Sequence, residues 1–176
     1  SSNLTATFAA NLFGPLSINN TGGYELILGG NTNLNTNNLN IGAGAILRAG
    51  ANNITIGAGV FTLNGTIMTA NVNVNGIIGA AGATIVSSAL PNINAGSTIE
   101  YNAAVNQPNV FLPAGVNFGN LILSGGGTKT LITNPANVTN LTIASGTTLE
   151  GGAVNLTATN SLISGIFIDN NAGGAV

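Results

Sequence analysis

The sequence predicts an all-β chain, a right-handed parallel β-helix or β-solenoid with short Gly- and Asn-rich turns. Three observations carry this expectation. One short phrase recurs along the chain: Asn, an aliphatic residue, a small or polar residue, a second aliphatic residue, then glycine-containing turn chemistry. Within each phrase the aliphatic residues alternate, which is the period of a strand. Charged residues make up only 3% of the 176 residues while Asn supplies 30, so polarity rests on side chains that form turns and stack without repelling. Units this short cannot bury an apolar side alone, and stacking coil on coil is what buries it.

Residues 1–30 include LTATFAANLFGPLSI, more apolar and aromatic than the rest, with Phe8, Phe13 and Pro15. They are expected to form a cap over the first coil or a strand donated to a neighbour, and residues 31–176 the solenoid repeats. The repeats begin as NLNIGAGAIL from Asn38, NITIGAGVFTL from Asn53, NVNVNGIIGAAG from Asn71, NLILSGGGTKTL from Asn120 and NLTIASGTTLEGG from Asn140, with looser echoes at Asn92, Asn109 and Asn155. Alternation places Ile41, Ile54, Ile56, Val72, Val74, Leu121, Leu123, Leu141 and Ile143 inside, and Asn40, Thr55, Asn73 and Thr142 outside. Asn at equivalent corners acts as a turn former or stacks into hydrogen-bonded ladders along the axis. Coils of roughly 20 residues stacked ~4.8 Å apart give about eight or nine coils and a rod on the order of 40 Å. Residues 104–119, AVNQPNVFLPAGVNFG, carry Pro108 and Pro113 and read as an insertion or a looped-out coil edge, because proline cannot donate in a central strand. The chain closes on a strand-like GIFI and a small-residue tail. A β-sandwich pilin that polymerises by donated strands is the alternative fold.

NFGNLILSGGGTKTL, residues 117–131, puts three glycines against a lone lysine. A phosphate loop needs Gly-Lys-Ser/Thr opening a helix. Here Lys129 follows Thr128, and Thr128, Thr130 and Ile132 alternate with Lys129, Leu131 and Thr133, so the segment reads as strand, turn, strand.

The net charge of -2 comes from Glu25, Glu100, Glu150 and Asp169 against Arg48 and Lys129. That leaves no basic patch for nucleic acid or anionic lipid. Low charge also removes the repulsion that keeps soluble proteins apart, which favours self-association. With no His and no Cys, little titrates near neutral pH or answers redox change, a profile suited to durability outside cells. SSNLTATFAA shows neither the basic region nor the apolar run of a signal peptide. The uncharged stretch between Arg48 and Glu100 is broken by Asn52, Asn53, Asn64, Asn71, Asn73 and Asn75, so no spanning helix is expected. An outer-membrane barrel would want aromatic girdles, and the chain has no Trp and two Tyr.

Catalysis would have to draw on six charged side chains. Glycosidases need two carboxylates facing one bond, and here only coil stacking could bring Glu100 and Glu150 together. Without His or Cys the one nucleophilic pattern left open is a serine–lysine arrangement around Lys129. No catalytic, cofactor or metal site is expected; IDNNAGG from Ile168 offers one Asp and two Asn to a cation and reads better as a turn. Tyr24, Tyr101 and Phe118 are too few for a glycan-binding platform.

The run from Gly96 to Glu150, with GSTIEYN, FGNLILSGGGTKTL and VTNLTIASGTTLE, resembles the repeat of large secreted adhesin-like surface proteins of Bacteroidetes bacteria, whose export commonly follows the type IX route. The resemblance covers about a third of the chain. It implies an extracellular, β-rich surface protein and transfers no catalytic residue; the family's C-terminal sorting domain is not evident.

These readings converge on an extracellular structural protein, not an enzyme, whose partner is itself: a solenoid subunit of a surface filament or matrix fibre joined head to tail. The candidate assembly contacts are Phe8, Leu12 and Phe13 near one end and Ile166, Phe167 and Ile168 near the other. The alternative is an adhesin or stalk module of a larger surface protein, binding other cells or surface glycans. Ice binding is a third reading; it needs an aligned Thr file, for which the T-x-T pairs at Thr5, Thr128 and Thr157 are the material.

Overall fold

The computed structural model describes residues 3–8, 12, 14–73, 75–110, 117–132, 136–152 and 154–169, at 109, 117 and 136 through the backbone alone. Described residues form strands and turns only, and the strands pair in parallel throughout as a β-solenoid of about seven turns. In chain order the first coil holds β1 (Leu4–Ala6) and β2 (Leu16–Ile18). The second holds β3 (Glu25–Leu28), β4 (Thr32–Asn33) and β5 (Leu39–Ile41), and the third β6 (Ile46–Gly50), β7 (Ile54–Gly57) and β8 (Phe61–Leu63). The fourth holds β9 (Thr66–Thr69), β10 (Ile78–Gly79), β11 (Ile85–Ser87) and β12 (Asn92–Ile93). Then come pairs: β13 (Thr98–Tyr101) with β14 (Gln107–Val110), β15 (Asn117–Leu123) with β16 (Gly127–Leu131), β17 (Ala136–Ile143) with β18 (Thr147–Glu150), and β19 (Leu156–Ile163) with β20 (Ile166–Ile168).

One sheet runs the whole length, in the order β1-β3-β6-β9-β13-β15-β17-β19, and is called sheet A. In the first half two further sheets, β2-β5-β8-β12 and β4-β7-β11-β10, complete the coils. In the second half a single sheet D, β14-β16-β18-β20, does so. The earlier coils therefore have three sides; the later ones have two strands per coil, with A strands lengthened to seven or eight residues.

Alternation delivers the core. Leu47, Ile67, Ile99, Leu121 and Leu141 occupy one in-register inward file of sheet A, and Ile41, Leu63, Ile54, Ile56, Leu123 and Ile143 are buried as their pattern requires. Ile and Leu suit such a file because a pleated, fully covered strand packs branched side chains against identical neighbours one coil away.

Three expectations need correction. The coils are fewer than eight or nine, because the step from Ile67 to Ile99 takes 32 residues where its neighbours, Leu47 to Ile67 and Leu121 to Leu141, take 20. Phrase starts such as Asn38 and Asn53 precede strands of different sheets, so their 15-residue spacing is not the coil period. Second, Val72 is 46% exposed and not inside. The backbone N–H of Asn71 donates to Thr69 Oγ1, that of Asn73 donates to Asn71 Oδ1, and Asn71 Nδ2 donates to Gly82 O, so local side-chain bonds win over the strand pattern. The chain loops out there, and Ile77, Ile78 and Ile85 fill the interior instead; Val74 lies outside the described residues. Third, residues 104–119 are not an insertion: the step from Thr98 to Asn120 is 22 residues, and Pro108 sits within β14, which pairs on one side only and so does not miss its N–H. Pro113 lies outside the described residues.

Candidate functional site

Asn side chains tie each coil to the next, and they do so with one polarity. Asn3, Asn31, Asn38 and Asn106 each accept, through Oδ1, the backbone N–H of the residue 22 positions on, at 2.8–3.0 Å. On the outer face of sheet A, Asn160 Nδ2 donates to Asn140 Oδ1 at 3.0 Å, Asn140 Nδ2 to Asn120 Oδ1 at 2.7 Å, and Asn120 Nδ2 to Thr98 Oγ1 at 3.2 Å. A second ladder joins Asn40, Asn64 and Asn94 in the same sense. Oxygens therefore face the following coil and NH₂ groups the preceding one, with Asn20, which donates to Ile46 O, running the other way. The expected ladders form.

The charged groups are dispersed. Arg48 holds Glu25 with two bonds, Nε to Oε2 at 2.5 Å and Nη2 to Oε1 at 2.7 Å, across neighbouring strands of sheet A. The guanidinium beside it holds the Glu25 carboxyl below its usual range, and the same bond raises Arg48. Glu100 accepts from Ser124 Oγ at 2.5 Å on sheet A, whereas Glu150 belongs to sheet D two coils further on, so stacking does not bring these carboxylates together.

Lys129 points into the solenoid, in register with Gln107 and Leu149, and is fully buried. Its ammonium donates to Ala103 O at 2.6 Å and Val105 O at 3.2 Å, carbonyls at the corner of the preceding coil. Burial pushes its pKa down to about 8. The glycines before it form the turn, as the alternation predicts: Gly125, Gly126 and Gly127 all have positive φ, and a Cβ on Gly125 would lie 2.3 Å from Asn102 O. No helix follows, so nothing there can grip a phosphate.

The surface shows no platform for the other readings. Tyr101 and Phe118 are buried, leaving Tyr24 as the one exposed member of the candidate trio. In the described register Thr pairs with Thr only in twos, Thr66 with Thr98 and Thr128 with Thr148, before Asn, Met or Ile follows.

What remains is the two ends. Beside β1 an apolar concavity of about 440 Å³ is lined by Leu4, Ala6, Phe8, Leu16, Ile18 and Leu26 among others. Beside β19 and β20 one of about 380 Å³ is lined by Leu141, Val154, Leu156, Ile163 and Phe167, with Asp169 at its edge. Phe8 and Leu12 sit half-buried against the core at the first end, and Phe167 does so at the other; Phe13 lies outside the described residues. Ile166 and Ile168 are exposed, flanking the inward Phe167 on β20. The fold thus separates the two candidate groups to opposite ends of one rod. Residues missed by the sequence reading are Leu4, 64% exposed, with Leu162 and Ile163, 63% and 45% exposed. The signal for the first was present: Asn3-Leu4-Thr5 repeats the Asn140-Leu141-Thr142 phrase.

Comparison with family models, with curated proteins and with solved structures finds no match.

Proposed function

We propose that the chain is an extracellular structural protein whose solenoids stack end to end into a surface filament or matrix fibre. One observation carries this reading. Sheet A spans the molecule, and among the described residues each of its edge strands, β1 and β19, is paired on one side only, beside an apolar concavity and with no exposed charge on either strand. Proteins that must stay apart blunt such edges with charge, proline or a covering segment. Two parallel edges facing opposite ways make a head-to-tail contact, which does not close on itself and so propagates. The low net charge and the extracellular surface proteins that Gly96–Glu150 resembles support the same reading.

Electron microscopy of the purified chain at neutral pH tests it. The expected result is unbranched filaments with a subunit rise of about 38 Å, eight A strands at ~4.8 Å each. Discrete particles at every concentration would overturn it. They would favour the second reading, a stalk or adhesive module within a larger surface protein, for which the resemblance to repeats of such proteins is the specific support.

A further inference from the structure

The joint between copies has a register that the molecule itself specifies. Position by position, sheet A aligns Asn3, Glu25, Ile46, Thr66, Thr98, Asn120, Asn140 and Asn160 in one outward file. The file begins and ends on Asn. At its far end Asn160 donates through Nδ2 to Asn140, which turns its Oδ1 toward the open edge. At its near end the Glu25 N–H donates to Asn3 Oδ1 at 2.9 Å, which turns the Asn3 NH₂ toward the opposite edge. One end of the rod thus presents a donor and the other an acceptor at the same lateral position. Two like ends brought together would set oxygen against oxygen or NH₂ against NH₂.

We propose that copies join through sheet A in a single register, β1 of one copy lying parallel to β19 of the copy before it, with Asn3 opposite Asn160. The proposal rests on the filament reading above and names its partner as a second copy of this chain. A slip of one residue would turn the strand's faces over, because side chains alternate. A slip of two keeps the faces and is excluded by the amide pair, since it would leave Asn160 Oδ1 without the donor that each earlier Asn in its ladder receives. In this register Leu4 follows Ser161 in the inward file that runs through Leu121 and Leu141, and Ala6 follows Ile163, covering the apolar side chains exposed at both ends. Thr5 falls opposite Leu162 on the outer face.

Because the chain has no cysteine, disulfide trapping reads the register directly. In the double variant Thr5→Cys/Leu162→Cys the two Cα atoms would be about 5 Å apart across the joint, within disulfide range; in Thr5→Cys/Asn160→Cys, two residues off, they would be about 8 Å apart and outside it. Thr5 and Leu162 are both exposed, so neither change threatens the fold, and they lie at opposite ends of one molecule, so no bond can form within a chain. Under mild oxidation the first variant should yield a ladder of covalent multimers at least tenfold more abundant than the second. Filaments with equal trapping, or with more trapping in the second, would overturn the register while leaving the filament reading intact. Leu162→Cys alone giving dimers as efficiently as the double variant would mean a tail-to-tail joint and overturn the polarity argument. The absence of both filaments and cross-links would overturn the filament reading itself.

Discussion

Lys129 is a cation among backbone carbonyls, placed inside because its strand alternates and its turn is fixed by three positive-φ glycines. Its ammonium loses water and gains two carbonyl acceptors, an incomplete exchange, so the folded state holds its proton less tightly than the unfolded chain does. The unfolded chain binds more protons between pH 8 and 10.5, and stability therefore rises with pH across that window. Between pH 7 and 9.5 the rise should reach up to about 2 kcal/mol, since one proton's difference between the two states is worth about 1.36 kcal/mol for each pH step of one. Urea unfolding at a series of pH values checks it, and Lys129→Met should abolish the rise. A flat profile in the wild type would mean that the two carbonyls fully replace hydration.

At the scale of the element, the Asn ladders add a second set of bonds between strands that the backbone already joins. Asn140 sits in the middle of one ladder, donating to Asn120 and accepting from Asn160. Asn140→Ala removes both bonds at an exposed position, where each is worth about 0.5–1 kcal/mol net. The expected loss is about 1 kcal/mol, measured by denaturant midpoint at unchanged slope. Combining it with Asn120→Ala should cost less than the two separately, because they share one bond. The long coil between Ile67 and Ile99 shows the opposite use of Asn: Asn71 bonds its own neighbours and takes the chain out of the sheet. The same residue type ladders or loops according to whether an equivalent Asn lies one coil away, which depends on coil length.

The molecule as a whole is a rod whose sides are satisfied and whose ends expose apolar side chains. Leu4 belongs to the inward file yet has no coil in front of it among the described residues. Leu4→Lys places a charge where the joint would bury it while touching little within the single chain. It should leave the melting temperature within a degree or two and lower association at least tenfold, read by sedimentation or light scattering. Unchanged association would remove β1 from the joint. A lower melting temperature without loss of association would show that Leu4 supports its own coil instead.

Much of this was legible in the residues themselves. Alternation at Ile54-Thr55-Ile56 or Leu121-Ile122-Leu123 reveals strands, because side-chain direction is a local property of extended backbone. Lys129 shares a phase with Leu131, so even its inward direction could be read. Proximity between coils could not. Whether Asn140 meets Asn120, whether Glu100 meets Glu150, and whether Val72 is inside all depend on how many residues each coil spends on its corners. The solenoid changes from three sides to two along its length, so no fixed period was available to count with. The sequence by itself determined strands, turns, a core and a nearly uncharged surface, since these follow from residue type and period two. Only the tertiary structure decided which Asn form a ladder, where the long loop leaves the sheet, and that the two apolar segments lie at opposite ends of one continuous sheet, because register is set by the summed length of every coil between them.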